Sequence, residues 1–328
     1  MAVRQRLLVT GGAGYVGSTL VPLLLRQGYR VRVVDALMFS QQPPIPALSS
    51  DNTFEFIRGD LRERGVITRA LDGIDVIIHL AALVGEPVCR RYPQLTQAIN
   101  QGVVFELNRA RGDTPAIFLS TSSVYSEFTQ YEHCTEETIL PPPALTLPYA
   151  RSKYEAEQLI AQGGRNYIVL RPATAFGYSS RIRLDLLPNE LTFKALKEKQ
   201  LKLYHPYAMR TFLHVRDLAR AIIFMVERIN ALSGEIFNVG DNAMNVTKKE
   251  IADLIRSEID CTVSVVAGDA DPDRRNFIAS YEKIAALGFT TEISLRQGIQ
   301  EMATKFRHLE DSPAFYNTNG NFELVSYN

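Results

Sequence analysis

Tyr149 and Lys153 stand four residues apart in PYARSK, shortly after the hydroxyl-rich run LSTSSVY (119–125). On a helix that spacing puts the phenol and the ammonium on one face. An ammonium beside a phenol favours the phenolate, so the pair reads as a general base whose pKa is drawn down toward a useful range. Tyr and Lys at this spacing are also ordinary on a helix surface, where Tyr packs and Lys is solvated. A second chemical candidate is VTGGAGYVGS, in which Gly11, Gly14 and Gly17 lie between an apolar run and a helix-like pattern. Glycine there permits a tight turn and a close approach of backbone to a ligand, and the unpaired N–H groups of the helix start suit a pyrophosphate. The spacing is GxxGxxG, not GxGxxG, and it also suits a plain strand-to-helix turn.

Positioning such groups takes strands and helices in alternation. Apolar, β-branched runs at 6–11, 30–36, 54–60, 75–82, 116–123 and 166–172 read as strands, with helix-period segments between most of them. That alternation predicts a parallel sheet with helices on both faces, and LSTSSVY then ends the fifth strand at the carboxyl edge, where such sheets bind ligands. After Gly177 the texture changes: RIRLDLLPNELTFKALKEKQ is charged and irregular, then helical, whereas 214–230 is an amphipathic helix leading into the strand EIFNVG. The expected division is a sheet domain over 1–177 plus about 213–237, and a smaller C-terminal domain from 178–212 and 238–328. PPPALTLP (141–148) reads as a rigid connector and QQPPIPALSSDN (41–52) as a loop.

Asp35, 18 residues after Gly17, stands about where a carboxylate accepts hydrogen bonds from an adenosine ribose and repels a 2′-phosphate. NAD is thereby favoured over NADP, because Arg32 should point to a sheet face. Bound there, the positive charge of a nicotinamide would also favour the phenolate of Tyr149.

Bulk properties exclude other classes. The 328 residues are 46% hydrophobic and 22% charged, enough for a substantial core. Lys plus Arg and Asp plus Glu both total 36, so no basic excess points to nucleic acid or an anionic membrane. Cys89, Cys134 and Cys261 fit neither a disulfide framework nor a CxxC metal site, and the five histidines show no metal spacing. No apolar run is long enough to span a bilayer and the start has no signal-peptide pattern, so a cytoplasmic protein is expected.

The chain resembles the extended short-chain dehydrogenase/reductases, in particular the NAD-dependent sugar-nucleotide epimerase/dehydratase family. TGGAGYVG is similar to that family's TGxxGxxG, GDLRE to its Asp-Leu pair and HLAALVG to its fourth-strand HxAA segment. The resemblance implies a Rossmann-type doubly wound α/β fold with a smaller C-terminal α/β substrate domain. It also implies NAD contacts at Gly11, Tyr15, Val16, Asp35, Asp60, Leu61, Leu80, Ala81, Ala82 and Asn100, and around the nicotinamide at Tyr149, Lys153, Pro172 and Thr174, the last two from RPATAFG. In the family the hydroxyl four residues before the tyrosine of VYG binds the reacting sugar oxygen, which makes Thr121 the third member of a catalytic set with Tyr149 and Lys153. For a nucleotide-diphosphate sugar, the family pattern implies phosphate ligands at Asn189, Arg210 and Arg275, the last with Arg274 as neighbour.

The implied mechanism is hydride transfer. Tyr149 removes a proton from a sugar hydroxyl while the carbon's hydride passes to NAD, and a ketosugar results. The 4,6-dehydratases of the family carry Asp and Glu after the strand-end Thr, and the decarboxylases resemble TSE. Here Ser122 and Ser123 occupy those places as expected sugar-facing hydroxyls, so an epimerase is favoured, with an NAD(P)H-dependent 4-ketoreductase or a non-catalytic NAD-binding regulator as the alternatives. The loop VGEPVCRRYPQ should approach the site, where Glu86, Cys89 and Arg90 either touch the hexose or shape the loop. The resemblance further implies a homodimer built on helices from 95–110 and 149–162.

Overall fold

Successive residues of the first strand, β1 (Arg6–Thr10), enter different buried clusters, Leu7 and Val9 on one face and Leu8 on the other. A strand apolar on both sides must be covered on both sides. A computed structural model describes residues 5–39, 53–126, 133–138, 146–164, 166–267 and 275–317. The loop 41–52, most of the connector 141–148 and Arg274 lie outside these described residues.

Six further strands join β1: β2 (Arg30–Asp35), β3 (Phe54–Arg58), β4 (Val76–His79), β5 (Ala116–Leu119), β6 (Tyr167–Pro172) and β7 (Glu235–Val239). All pair in parallel, in the order β3-β2-β1-β4-β5-β6-β7. This is a Rossmann-type doubly wound sheet, whose order reverses between β1 and β4. The strand expected from EIFNVG is β7, beside β6.

The helices follow in chain order: α1 (Gly17–Arg26), α2 (Arg64–Leu71), α3 (Val103–Ala110), α4 (Pro148–Gln162), α5 (Leu187–Lys197), α6 (Val215–Val226), α7 (Lys248–Glu258) and α8 (Leu295–Lys305). Leu20 and Leu24 of α1 and Leu218 and Ile222 of α6 share a core with Val9, Val33, Ile78 and Leu170. On the other face, Ile67 of α2, Leu107 of α3 and Ile160 of α4 pack with Leu8, Ile77, Phe118 and Val169. At roughly 1.5–3 kcal/mol per fully buried aliphatic side chain, these two layers hold the sheet. A third core joins α5, α7 and α8 around Phe176, Phe212, Ile251 and Ile299.

The helix expected over 95–110 is not continuous. A short helix at Pro93–Gln97 passes through a wider, π-type turn at Ala98–Gly102 before α3 begins. Asn100 sits on that turn with its amide directed at the loop after β4. All three cysteines are buried. Among the described residues no helix is long and apolar enough to cross a membrane.

Candidate active site

A cavity of about 1530 Å³ opens at the carboxyl ends of β1 and β4, where the strand order reverses, and runs under the segments that follow β5 and β6. Its floor at one end is the glycine turn. Gly11 has φ +69, and a Cβ on it would stand 2.8 Å from the backbone N and Cα of Ala81. A Cβ on Gly17 would stand 2.5 Å from Gly12 Cα, so glycine at both places lets strand, turn and α1 close on one another. Asp35 ends β2 at the rim of the turn, and its carboxylate accepts from the N–H groups of Ala13 (3.0 Å) and Leu37 (2.8 Å). Burial raises its pKa, against those two hydrogen bonds and the Arg181 charge. Arg32 turns away, as expected: its guanidinium donates to Glu55 (2.8 Å) and to the carbonyls of Arg69, Ala70 and Asp72 at the end of α2. It is committed there and does not line the cavity.

Thr121, Tyr149 and Lys153 meet at the other end. Thr121 follows β5 and caps the short turn Ser122–Tyr125, its Oγ1 accepting from the Ser123 N–H at 3.1 Å. The same side chain lies against the Tyr149 phenol and lowers its pKa. Tyr149 and Lys153 project from α4, whose first turn is held by Glu86: its Oε2 accepts from the Tyr149 N–H at 3.0 Å. Beneath them lies a buried chain of polar groups. Ser120 Oγ donates to Glu157, Glu157 pairs with Arg171 at 2.6 Å, and Arg171 Nη1 donates to the Tyr125 hydroxyl at 2.9 Å. This chain ties α4 to β5 and β6.

The electrostatics correct one expectation. Burial pushes the Tyr149 phenol up to about 12; the Thr121 side chain and the charges of Arg183 and Arg275 pull the other way and do not win. Burial lowers Lys153 to about 8, with Glu157 opposing. In the chain by itself the phenol is therefore not drawn down: desolvation dominates, and the charges that pull against it are those of Arg183 and Arg275.

A profile of the NAD dependent epimerase/dehydratase family matches residues 7–240. The chain belongs to that family. Its cofactor is NAD, and the glycine cradle and the Asp35 carboxylate fit such a dinucleotide. A UDP-glucose 4-epimerase of Neisseria meningitidis is 27% identical over 95% of this chain and 99% of its own length. UDP-glucuronic acid decarboxylase 1 of Arabidopsis thaliana is 30% identical over 93% of this chain and 70% of its own. Among solved structures, the Thermus thermophilus UDP-glucose 4-epimerase in complex with NAD superposes with a TM-score of 0.79 at 25% identity, covering 93% of this chain and 100% of that one.

Most residues expected from the family pattern line the cavity: Gly14, Tyr15 and Val16 at the turn, Asp60 and Leu61 after β3, and Leu80, Ala81 and Ala82 after β4. Pro172 at the end of β6 and Thr174 just past it line it, and so do Ser123, Arg210 and Arg275 from other segments. Three expected residues do not reach it. Asn100 Oδ1 accepts from the Leu83 N–H (2.7 Å) and its Nδ2 donates to Ser152 (2.9 Å), so it shapes the loop above β4 from behind. Asn189 is fully buried, accepting from the Gly177 N–H (2.9 Å) and donating to the Arg183 carbonyl (2.9 Å). Ser122 points away within the turn that Thr121 caps. Arg275 was expected at the diphosphate, yet its Nη1 donates to Ser123 Oγ at 3.2 Å, beside the reacting end. Sequence reasoning missed Arg181 and Arg183, which line the cavity from the segment after β6. Arg183 pairs with Asp185 through both carboxylate oxygens (3.0 and 2.6 Å) and its charge reaches Tyr149. The only signal was the charged RIRLD stretch itself.

Proposed function

We propose that the protein epimerises a nucleotide-diphosphate sugar through a transient ketosugar and keeps its NAD throughout. The observation that carries this reading is the set Thr121–Tyr149–Lys153 at one end of the cavity, faced by the Ser123 hydroxyl where an elimination would need a carboxylate. Glu86 borders that end, and the Tyr149 N–H and Arg90 hold its two oxygens.

Thr121 orients the reacting sugar oxygen, and Tyr149, whose phenolate a nicotinamide's positive charge beside it would favour, takes its proton. Lys153 holds the nicotinamide ribose and places a positive charge beside the phenol. Bound NAD supplies a reversible acceptor for the hydride leaving the sugar carbon. Tyr149 would give the proton back to the oxygen as the keto carbon is reduced from its opposite face, which completes inversion. Arg210, and Arg275 beside Ser123, anchor the diphosphate and sugar, and that remote binding aligns the reacting carbon. In this reading the sheet and its helices form the cofactor half, and 178–212 with 238–328 the substrate half. The assembly is a homodimer through α3 and α4.

The test is to denature the purified protein and assay the supernatant for nicotinamide cofactor. NAD at near one per chain supports internal redox recycling. A protein that takes up NADH or NADPH only transiently is a ketoreductase, and undiminished turnover by Y149F removes the mechanism.

A further inference from the structure

The segment after Gly177 lines the cavity through Arg181, Arg183 and Asp185, and it is fastened to the glycine turn. Ser179 Oγ donates to the Tyr15 carbonyl at 2.7 Å and shares a hydrogen bond of 2.7 Å with Ser18. The Tyr15 hydroxyl donates to the Gly177 carbonyl at 2.7 Å, and the Arg181 N–H donates to Ser18 Oγ at 3.4 Å. These contacts station Arg181 against the first turn of α1.

The Arg181 side chain lines the cavity although the residue is only 8% exposed. Its guanidinium donates to Asn317 Oδ1 at 2.6 Å and to the Ile182 carbonyl, and it stands 5.8 Å from the Phe39 ring. Those partners are all neutral, and among the described residues no carboxylate forms an ion pair with it. Its charged neighbours are Arg183, which repels it, and Asp185 and Asp35, which attract it more weakly. Burial and then Arg183 lower its pKa to about 10. A buried cation beside a second cation is unfavourable unless an anion shares the space.

We infer that Arg181 clamps the diphosphate of the bound dinucleotide from above, opposite the N–H groups of the glycine turn and α1. The substrate half thus lends a residue to the cofactor half, and NAD retention depends on the segment after β6. A guanidinium suits this role because it grips phosphate oxygens with two parallel hydrogen bonds. The inference rests on the cofactor placement proposed above.

The experiment measures binding of NAD, ADP-ribose, adenosine, NADP and UDP to the full chain by calorimetry, in the wild type, R181Q and R181K. In R181Q, NAD and ADP-ribose should weaken together by roughly 10- to 100-fold, the loss of one or two charge-assisted hydrogen bonds, while adenosine is unchanged. R181K keeps the charge, serves if R181Q does not fold, and should fall between. Unchanged NAD affinity in both variants overturns the clamp. So does a loss confined to NADP, which would place Arg181 at a 2′-phosphate, or one confined to UDP, which would place it at the substrate. A wild-type chain that binds no dinucleotide overturns the reading beneath it as well, so the two failures are distinguishable.

Discussion

In the chain by itself, burial shifts the two central side chains in opposite directions, the Tyr149 phenol up to about 12 and the Lys153 ammonium down to about 8, and a nicotinamide's charge beside the phenol would oppose the first shift. The value of kcat/KM reports the free enzyme, so the lysine should govern its alkaline side. Lys153 is useful while charged, and its pKa is lowered to about 8, so activity is expected to fall as pH rises through that value. A kcat/KM profile that stays flat from pH 7 to 10 would contradict this. For the phenol, Y149F should lose ~10²–10⁴-fold in kcat, the usual worth of a positioned acid–base group. Its NAD content should stay at the wild-type level, because the ring that packs in the site is retained. Single-turnover assay alongside cofactor release separates the two effects.

At the level of elements, close approach of backbones does what side chains cannot. A methyl on Gly17 meets the Gly12 backbone at 2.5 Å, so the start of α1 must move off the glycine turn. G17A is expected to cost about 1–3 kcal/mol by overpacking and to lose NAD affinity more than stability. Thermal melts with and without NAD check this, and a variant whose melting point still rises normally with NAD would refute it. The Glu157–Arg171 pair couples α4 to β6 in the interior, with side chains 2% and 4% exposed. Breaking one partner of such a pair leaves an uncompensated buried charge, so E157Q should destabilise by about 3–5 kcal/mol in denaturant melts. A loss below about 1 kcal/mol, the range of exposed pairs, would show that water reaches the pair.

For the molecule as a whole, the expected partner is a second copy. Phe105 is 50% exposed on α3, in a helix whose other side packs on the sheet through Val104 and Leu107. In the proposed homodimer that ring is covered, and F105D should shift the sedimenting species from dimer to monomer. A wild-type chain that sediments as a monomer at micromolar concentration would end the proposal. Within one copy, Asn189 Nδ2 donates to the Tyr15 hydroxyl at 3.3 Å, joining α5 to the glycine turn.

Legibility in the sequence followed the range of the interaction. The sheet strands β1 to β7 were readable because a buried parallel strand must be a continuous apolar run, and the runs were present in order. Gly11, Gly14 and Gly17, Asp35, and the Tyr149–Lys153 pair were readable because their meaning lies in spacings along one or two adjacent elements. Tertiary structure alone decided the rest. The sign of the Tyr149 shift depends on desolvation, and desolvation depends on what α4 is packed under. Asn100 and Asn189 support the cavity from behind instead of lining it, because their amides are taken by backbone groups of other elements. Arg181 and Arg183 became site residues only when Ser179 bonded Ser18 and Tyr15 across more than 160 positions of chain. Periodicity cannot register a contact of that range, because nothing local distinguishes a solvated arginine from one carried into a cavity.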